Sequence, residues 1–208
     1  MKRLLMMMAF VLMGMSAMAQ DVIPLPTPDK NVEMSLFTAL QRRRSVREYA
    51  SRPIDLPTLS RVLWAACGIS QPESGKITAA SAMNRQDIQV YVCGEKGAYL
   101  FHPATNELTK VCGKDLRASL AGSQKGVATA PCFLLLVSDQ AKFGGRGQGE
   151  TFGAMDAGYV SQNIYLACTS LGLGTVARYG MDRDTLKREL GLADTQVMEL
   201  NHPVGWTK

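Results

Sequence analysis

Five arginines fall within the twelve residues from Gln41 to Arg52, and three of them stand in the run Arg43-Arg44-Ser45-Val46-Arg47. Guanidinium forks match phosphate oxygens bidentately, and a serine hydroxyl adds a further donor. The cluster is therefore a candidate phosphate clamp. A solvated basic face that complements a helix dipole is the competing reading of the same residues. No comparable acid–base constellation occurs elsewhere. His102 and His202 have no triad partners in sequence and read as structural. With only those two histidines and no C-x-x-C spacing, a metal centre is not expected.

The elements that must carry the cluster follow from periodicity. Leu36, Phe37 and Leu40 fit one face of a helix over Glu33 to Arg43, which delivers the arginines at its C-terminal end. A second helix starts near Pro57, runs through Leu59, Val62, Leu63 and Ala66, and stops at Gly68. Gln71 to Gly75 reads as a loop. Asp87–Cys93, Ala98–His102 and Glu107–Cys112 are short β-rich runs with tight connections, an antiparallel meander. Asp115 to Leu120 begins another helix. Cys132 to Val137 is apolar throughout, as in a strand buried on both faces.

Phe143 to Gly149 is glycine-rich and reads as a mobile connector. Phe152 to Leu171 is the strongest helix, with Met155, Tyr159, Ile164, Leu166 and Cys168 as core candidates. It is apolar on most sides, which places it centrally or at a subunit interface. Gly172 and Gly174 end it. A strand over Thr175 to Tyr179, a helix from Asp182 to Gly191 and an extended segment from Val197 to Val204 complete the chain. Helices mixed with a meander make the class α+β. The Gly172-Leu173-Gly174 turn follows a helix and precedes a strand, the reverse of a dinucleotide fold.

The first nineteen residues read as a secretory signal peptide, not as part of the fold. Lys2 and Arg3 precede the apolar run Leu4 to Met15, and Ala17-Met18-Ala19 is a small-x-small cleavage site. Without a twin arginine the route is Sec-type, and the protein is expected in the periplasm or secreted, with no stable membrane anchor. Cleavage after Ala19 would lower the formal charge from +5 to +3 by removing Lys2 and Arg3, too mild a balance for broad nucleic-acid binding. Residues 20–30 form a Pro-rich extended lead-in and 31–208 a single domain. The chain has five cysteines, an odd number, set mostly in apolar surroundings. Cys67, Cys93, Cys132 and Cys168 read as small core residues, and a Cys93–Cys112 bridge across the hairpin is conceivable in an oxidising compartment.

Arg43-Arg44-Ser45-Val46-Arg47-Glu48-Tyr49 resembles the R-R-S-x-R-x-[FY] signature of the FMN-dependent nitroreductase family. Four more segments resemble that family in order: Leu59–Gly68, Ala80–Gln86 against a P-S-x-x-N-x-Q loop, Asp156–Thr175 against the central helix and Gly-Leu-Gly turn, and Pro203-Val204-Gly205-Trp206 against P-V-G-[YW]. The pattern around Ala98–Leu108 is most similar to the azoline-oxidase-like branch. The resemblance implies a mixed, largely antiparallel sheet flanked by helices, in an interlocked homodimer with FMN at the subunit interface. It puts the phosphate and flavin-edge contacts on Arg43, Arg44, Ser45 and Arg47. The loop of the other subunit falls on Ser81, Met83 and Asn84, and the segment beside the reactive flavin nitrogen on Arg178, Tyr179 and Gly180. Ala80 and Ala82 depart from the family loop. The chain stops at Lys208, which would stand in for a basic pair that many relatives carry further on. The implied activity is oxidoreduction of a small molecule, nitroaromatic or quinone, by ping-pong turnover. The chemistry would lie on the flavin, with no catalytic side chain. A non-catalytic FMN-binding or scavenging protein outside the cytoplasm is the alternative. NAD(P)H, the family's common donor, is scarce there.

Overall fold

Helix boundaries in the computed structural model, which describes residues 21–144 and 148–208, follow the capping side chains. Strand β1 is Val22–Pro24 and helix α1 is Leu36–Arg42. The α1 start is set by Ser35, whose Oγ accepts from Thr38 N at 3.2 Å, so Glu33 and Met34, expected within the helix, lie before it. Helix α2, Leu56–Cys67, is capped by Asp55 accepting from Thr58 N at 2.8 Å and carries Pro57 in its first turn. A small hairpin, β2 (Ile69–Gln71) and β3 (Lys76–Ile77), flanks the turn expected as a plain loop.

The meander is β4 (Ile88–Gly94), β5 (Gly97–His102) and β6 (Glu107–Cys112). Helix α3 (Arg117–Ala121), strand β7 (Cys132–Asp139) and helix α4 (Gly149–Ser170) follow. Strand β8 (Leu173–Thr175), helix α5 (Arg183–Leu190) and strand β9 (Gln196–Trp206) close the chain. The ends of α5 fall where the sequence put them. Asp182 caps it through Thr185 N at 3.2 Å, and Gly191 closes it at φ +65°.

The main sheet has the order β1-β6-β5-β4-β7-β9-β8, antiparallel at every pairing among the described residues. The α+β class is as expected, and so is the largely antiparallel sheet. The Pro-rich lead-in contributes an edge strand, β1. Pro24 is tolerated there because an edge has one side free of ladder bonds. The sheet separates two cores. Leu134 and Leu136 of β7 join Val62, Leu63, Val160 and Ile164 of α2 and α4 on one face. Phe133, Leu135 and Val137 join Leu120 and Leu186 of α3 and α5 on the other. That two-sided burial is why β7 is apolar at successive positions.

Leu36, Phe37 and Leu40, the large apolar residues of α1, all point outward, with Phe37 81% exposed, while Ala39 is the buried residue of α1. Several expectations are corrected. On α4, Ile164 and Cys168 are buried as expected, but Met155 and Tyr159, one turn apart on the other face, are about half exposed at 52% and 48%. Leu166 is only partly buried. Phe143 is no loose connector: it is 1% exposed and packs against Phe152 with ring centroids 5.6 Å apart. Residues 145–147 of that stretch lie outside the described residues, as does the signal-peptide segment. The expected Thr175–Tyr179 strand ends at Thr175, and Arg178 joins β9 only through a bridge to Asn201. Among the described residues no helix is long and apolar enough to cross a membrane.

The Cys93–Cys112 bridge does not form. Ala98 of β5 is the register partner of both Cys93 and Cys112, so a whole strand lies between the two. Two strand spacings amount to roughly 9–10 Å, beyond the reach of a disulfide. All five thiols are free and buried, and burial pushes those of Cys67 and Cys132 up to about 12. An Ellman assay without reductant should therefore read five thiols per chain in denaturant and essentially none in native buffer. Fewer than five in denaturant would contradict the register.

Candidate functional site

The segment after α1 is tied to the far end of the sheet by its backbone. Val46 N donates to Thr175 O at 2.9 Å, Ala50 N donates to Trp206 O at 2.8 Å, and Tyr49 bridges to Thr207. Tyr49 is buried, its hydroxyl donates to Val46 O at 2.6 Å, and burial lifts its phenol well above the usual range. Val46 packs so closely that a Cβ on Gly174 would come within 2.6 Å of its Cγ1. With Val46 and Tyr49 anchored, Arg44, Ser45 and Arg47 are left exposed.

Arg43 is half-buried, its guanidinium 4.9 Å from the centre of the Tyr165 ring. Ser45 Oγ lies 3.0 Å from Tyr165 Oη, which also accepts from Ala177 N at 2.9 Å. With Ala177 donating, the Tyr165 proton is free to point at Ser45. Arg42, Arg43 and Arg44 line a cleft of about 560 Å³ with Thr169, Gly172 and Thr207. Among the described residues none of Arg42, Arg43, Arg44 or Arg47 has an ion-pair partner. Several uncompensated cations in one cleft repel each other, and an anion with several oxygens relieves that repulsion.

The loop around Ser81 is a second structured feature. Met83, Asn84 and Gln86 all take left-handed φ values, +51°, +52° and +48°. Each such non-glycine residue costs on the order of 1–3 kcal/mol, so the surroundings must hold the loop. Asp156 accepts from Ala82 N with both carboxylate oxygens, at 2.9 and 3.1 Å. Ser81 Oγ accepts from Gln86 N at 2.7 Å, Gln86 Nε2 donates to both Gly75 O and Asn84 Oδ1, and Lys142 Nζ donates to Gln86 O at 2.8 Å. The loop turns Met83 outward, and a cleft of about 230 Å³ separates it from Phe152, Met155 and Tyr159.

The structure does not bring this loop and the arginine cluster together within one chain. Asp156 under the loop and Thr169 in the arginine cleft are thirteen residues apart on α4, roughly 20 Å along its axis. The third expected segment is divided as well. Arg178 is buried and its guanidinium is taken up by protein oxygens, whereas Tyr179 is exposed with Arg183 4.3 Å from its ring. Gly180 is exposed too, its carbonyl accepting from Asn201 Nδ2 at 3.4 Å. Lys208 lies beside Glu48 at 3.9 Å, and Thr207 rather than Lys208 lines the cleft.

Comparison with known proteins meets this geometry directly: the Nitroreductase family matches residues 40–206. The chain belongs to the nitroreductase family. It is 35% identical over 170 residues to a protein of Methanocaldococcus jannaschii that carries a provisional nitroreductase name, covering 76% of this chain and 84% of that one. The structure of a similarly named protein from Ralstonia eutropha JMP134 superimposes with a TM-score of 0.84 at 35% identity, over 90% of both chains. A chain of the Escherichia coli microcin synthetase McbBCD complex shares the fold, with a TM-score of 0.73 over 99% of this chain and 85% of that one at 17% identity. This nitroreductase-family chain is thus an oxidoreductase by membership, in a family that generally uses flavin.

Within this nitroreductase fold, sequence reasoning missed Tyr165, Thr169 and Thr207. Tyr165 could have been found as the aromatic residue with a polar tip in the buried α4 stripe that also holds Val160, Ser161, Ile164 and Cys168. Thr169 and Thr207 carry no sequence signal of their own.

His202 is structural, as expected. It is fully buried between Thr175 Oγ1 (3.0 Å from Nδ1) and Ser161 Oγ (2.9 Å from Nε2), edge-on to Tyr165. Burial holds its pKa down to about 3, against 6.5 for an ordinary histidine. The unfolded chain thus binds a proton near pH 6.5 that the native state refuses until about pH 3. Its contribution to stability is complete above pH 6.5 and is lost progressively as pH falls towards 3, at roughly 1.4 kcal/mol per pH unit. Thermal melts from pH 7 to 4 should show that slope, reduced in His202→Gln. Equal slopes would remove the histidine from the acid response.

Proposed function

We propose that this chain is an FMN-dependent oxidoreductase that works as a homodimer, passing electrons to or from a small organic molecule, nitroaromatic or quinone, by ping-pong turnover. The observation that carries the reading is the set of arginines without counter-ions around the 560 Å³ cleft. A flavin phosphate carries nearly two negative charges and suits that set. Arg43 and Arg44 would hold it. The Arg43 guanidinium lies over the Tyr165 ring, a contact that uses none of its N–H donors on an oxygen and leaves them for a phosphate. Ser45, oriented by Tyr165, would donate to the phosphate or ribityl chain. Arg47 would face the flavin edge where negative charge gathers. Tyr179 and the backbone around Gly180 would border the ring. When bound, FMN supplies the acceptance and return of electrons, and the chain's own part is to bind, orient and exclude water.

Two features support the homodimer. Leu36, Phe37 and Leu40 on α1 and Met155 and Tyr159 on α4 are large apolar side chains exposed on one protomer. The Ser81–Asn84 loop and the arginine cluster, separated along α4, could meet on one flavin only through a second copy. Placement in the azoline-oxidase-like branch, and export with cleavage after Ala19, rest on the sequence alone and are part of the proposal.

The test is the visible spectrum of the purified protein with added FMN, followed anaerobically by NADPH and then dithionite, with gel filtration alongside. Bound flavin bands bleached by a donor and restored by a quinone, in a species twice the chain mass, are the expected result. Bands that only dithionite bleaches would mean another donor. Flavin bound but never turned over would favour the carrier, and no binding in excess FMN would overturn the proposal.

A further inference from the structure

The arginine cleft does not end at Arg42. A second cleft, of about 720 Å³, shares Arg42 and Met34 with it. The lead-in to α1, Arg61 of α2, and Ser170 and Leu171 at the end of α4 wall this second cleft. Helix α4 sets the order of the two. Tyr165 contacts Ser45 and Arg43, Thr169 one turn on lines the first cleft, and Ser170 and Leu171 line the second. The second cleft therefore lies past the phosphate of a flavin that meets Ser45, Arg43 and Arg44, on the side away from the ring. FMN ends at that phosphate and leaves the space unfilled. The lining is mixed. Arg61 Nη2 donates to Asn31 O at 2.8 Å, its one acceptor among the described residues, and its Nε is buried without a partner. Neither Arg42 nor Arg61 has an ion pair among the described residues. Buried donors are rarely left so, and a phosphate ester supplies the acceptors that such guanidinium groups lack. Asp29, whose Oδ1 accepts from Asn31 N at 2.9 Å, and Glu33 add carboxylates. These repel a bare phosphate but accept from the hydroxyls of a ribose. Val32 and Leu171 supply apolar surface.

We propose that this second cleft takes the adenosine monophosphate half of flavin adenine dinucleotide (FAD), so that the chain binds FAD more tightly than FMN. The proposal rests on the reading of the arginine cleft as the flavin phosphate site, and it adds what lies past that phosphate. The first phosphate stays with Arg43 and Arg44. The second falls at the junction, where Arg42 lines both clefts, and Arg61 is the further cation of the second one. The ribose diol donates to a carboxylate of Asp29 or Glu33, the role an acidic side chain takes on ribose in dinucleotide sites. The adenine ring lies against Val32 and Leu171. The space is that of an ordinary small-ligand site, roughly 300–1,000 Å³. A pyrophosphate also spreads its charge over both clefts. It relieves the repulsion among Arg42, Arg43, Arg44 and Arg61, which one phosphate held by Arg43 and Arg44 does only in part.

The experiment is equilibrium dialysis of the purified protein, stripped of flavin, against FMN and against FAD at one salt concentration. Wild type should hold FAD at least about tenfold tighter than FMN, the yield of one further hydrogen bond to a charged group. Arg61→Met, which keeps the apolar stem and removes the charge, should erase most of that advantage and leave FMN affinity unchanged. Val32→Trp, which fills the cleft from an exposed position, should do the same, and it decides if Arg61→Met fails to fold. Equal binding of FAD and FMN by wild type overturns the proposal and leaves the FMN reading standing. So does an FAD advantage that survives both variants. ADP taken up by the FMN-saturated protein, with no advantage for FAD, would make the second cleft a site for a separate nucleotide and overturns the proposal as well. Failure of wild type to bind either flavin would overturn the phosphate site itself and this extension with it.

Discussion

Replacing Arg43 and Arg44 together with alanine should lower FMN affinity by roughly 10²- to 10⁴-fold and leave the fold intact. Each hydrogen bond to a charged group contributes about 1.5–3 kcal/mol, and the pair therefore about 3–6 kcal/mol. The cost to the fold is small. Neither arginine has an ion-pair partner among the described residues, and the Arg43–Tyr165 contact at 4.9 Å is worth about 0.5–1 kcal/mol. Removing two of several clustered cations also relieves repulsion, so the melting temperature should move by no more than a few degrees. Riboflavin, which lacks the phosphate, supplies the control. Wild type should prefer FMN over riboflavin by a factor close to that lost in the double variant, and the variant should discriminate little. The preference should also shrink as salt is raised. An unchanged FMN affinity, or a preference that survives both substitutions, would place the phosphate elsewhere.

The arginine cluster was legible because its signal is local: residue type, spacing and the end of a helix. The same holds for the start of α2 near Pro57, for the ends of α5 at Asp182 and Gly191, and for β7, whose apolar run reflects a core on each face. What failed depended on neighbours. The apolar pattern of α1 correctly gave a helix, but periodicity says only that one face is apolar, not that this chain covers it. Phe37 at 81% exposure shows the difference. Met155 and Tyr159 failed for the same reason, since α4 is apolar on more than one side. The Cys93–Cys112 pairing failed on topology: consecutive hairpins put the two cysteines on strands separated by β5. The latch from Asp156 to Ala82 spans 74 positions in the chain, and no local pattern encodes it.

Arg178 gives the opposite expectation to the clamp arginines. Arg178→Ala should cost about 3–5 kcal/mol of stability, and any change in flavin affinity should follow from that loss. Its Nη1 donates to Leu120 O at 2.8 Å and Asn201 Oδ1 at 3.0 Å, its Nη2 to Ala121 O, and its Nε to Gln124 Oε1 at 3.0 Å. Leu120 and Ala121 are the last two residues of α3, so the guanidinium closes that helix by satisfying carbonyls with no intrahelical partner. Burial depresses the Arg178 pKa, which records the desolvation the site imposes on the charge. Alanine would leave buried carbonyls and an amide oxygen without donors. Lysine is a poor rescue, because one ammonium cannot reach oxygens spread around a planar fork. At roughly 2–4 °C per kcal/mol for a chain of this size, the variant should melt about 10 °C lower, and the loss should be similar at pH 6 and pH 8. Arg178 turns inward and Tyr179 outward, so under the proposed function it is the Tyr179 ring and the backbone beside it, not the Arg178 guanidinium, that would border the flavin. An Arg178→Ala chain that melts like wild type but no longer binds FMN would return this arginine to the flavin, and with it the expectation drawn from the family pattern.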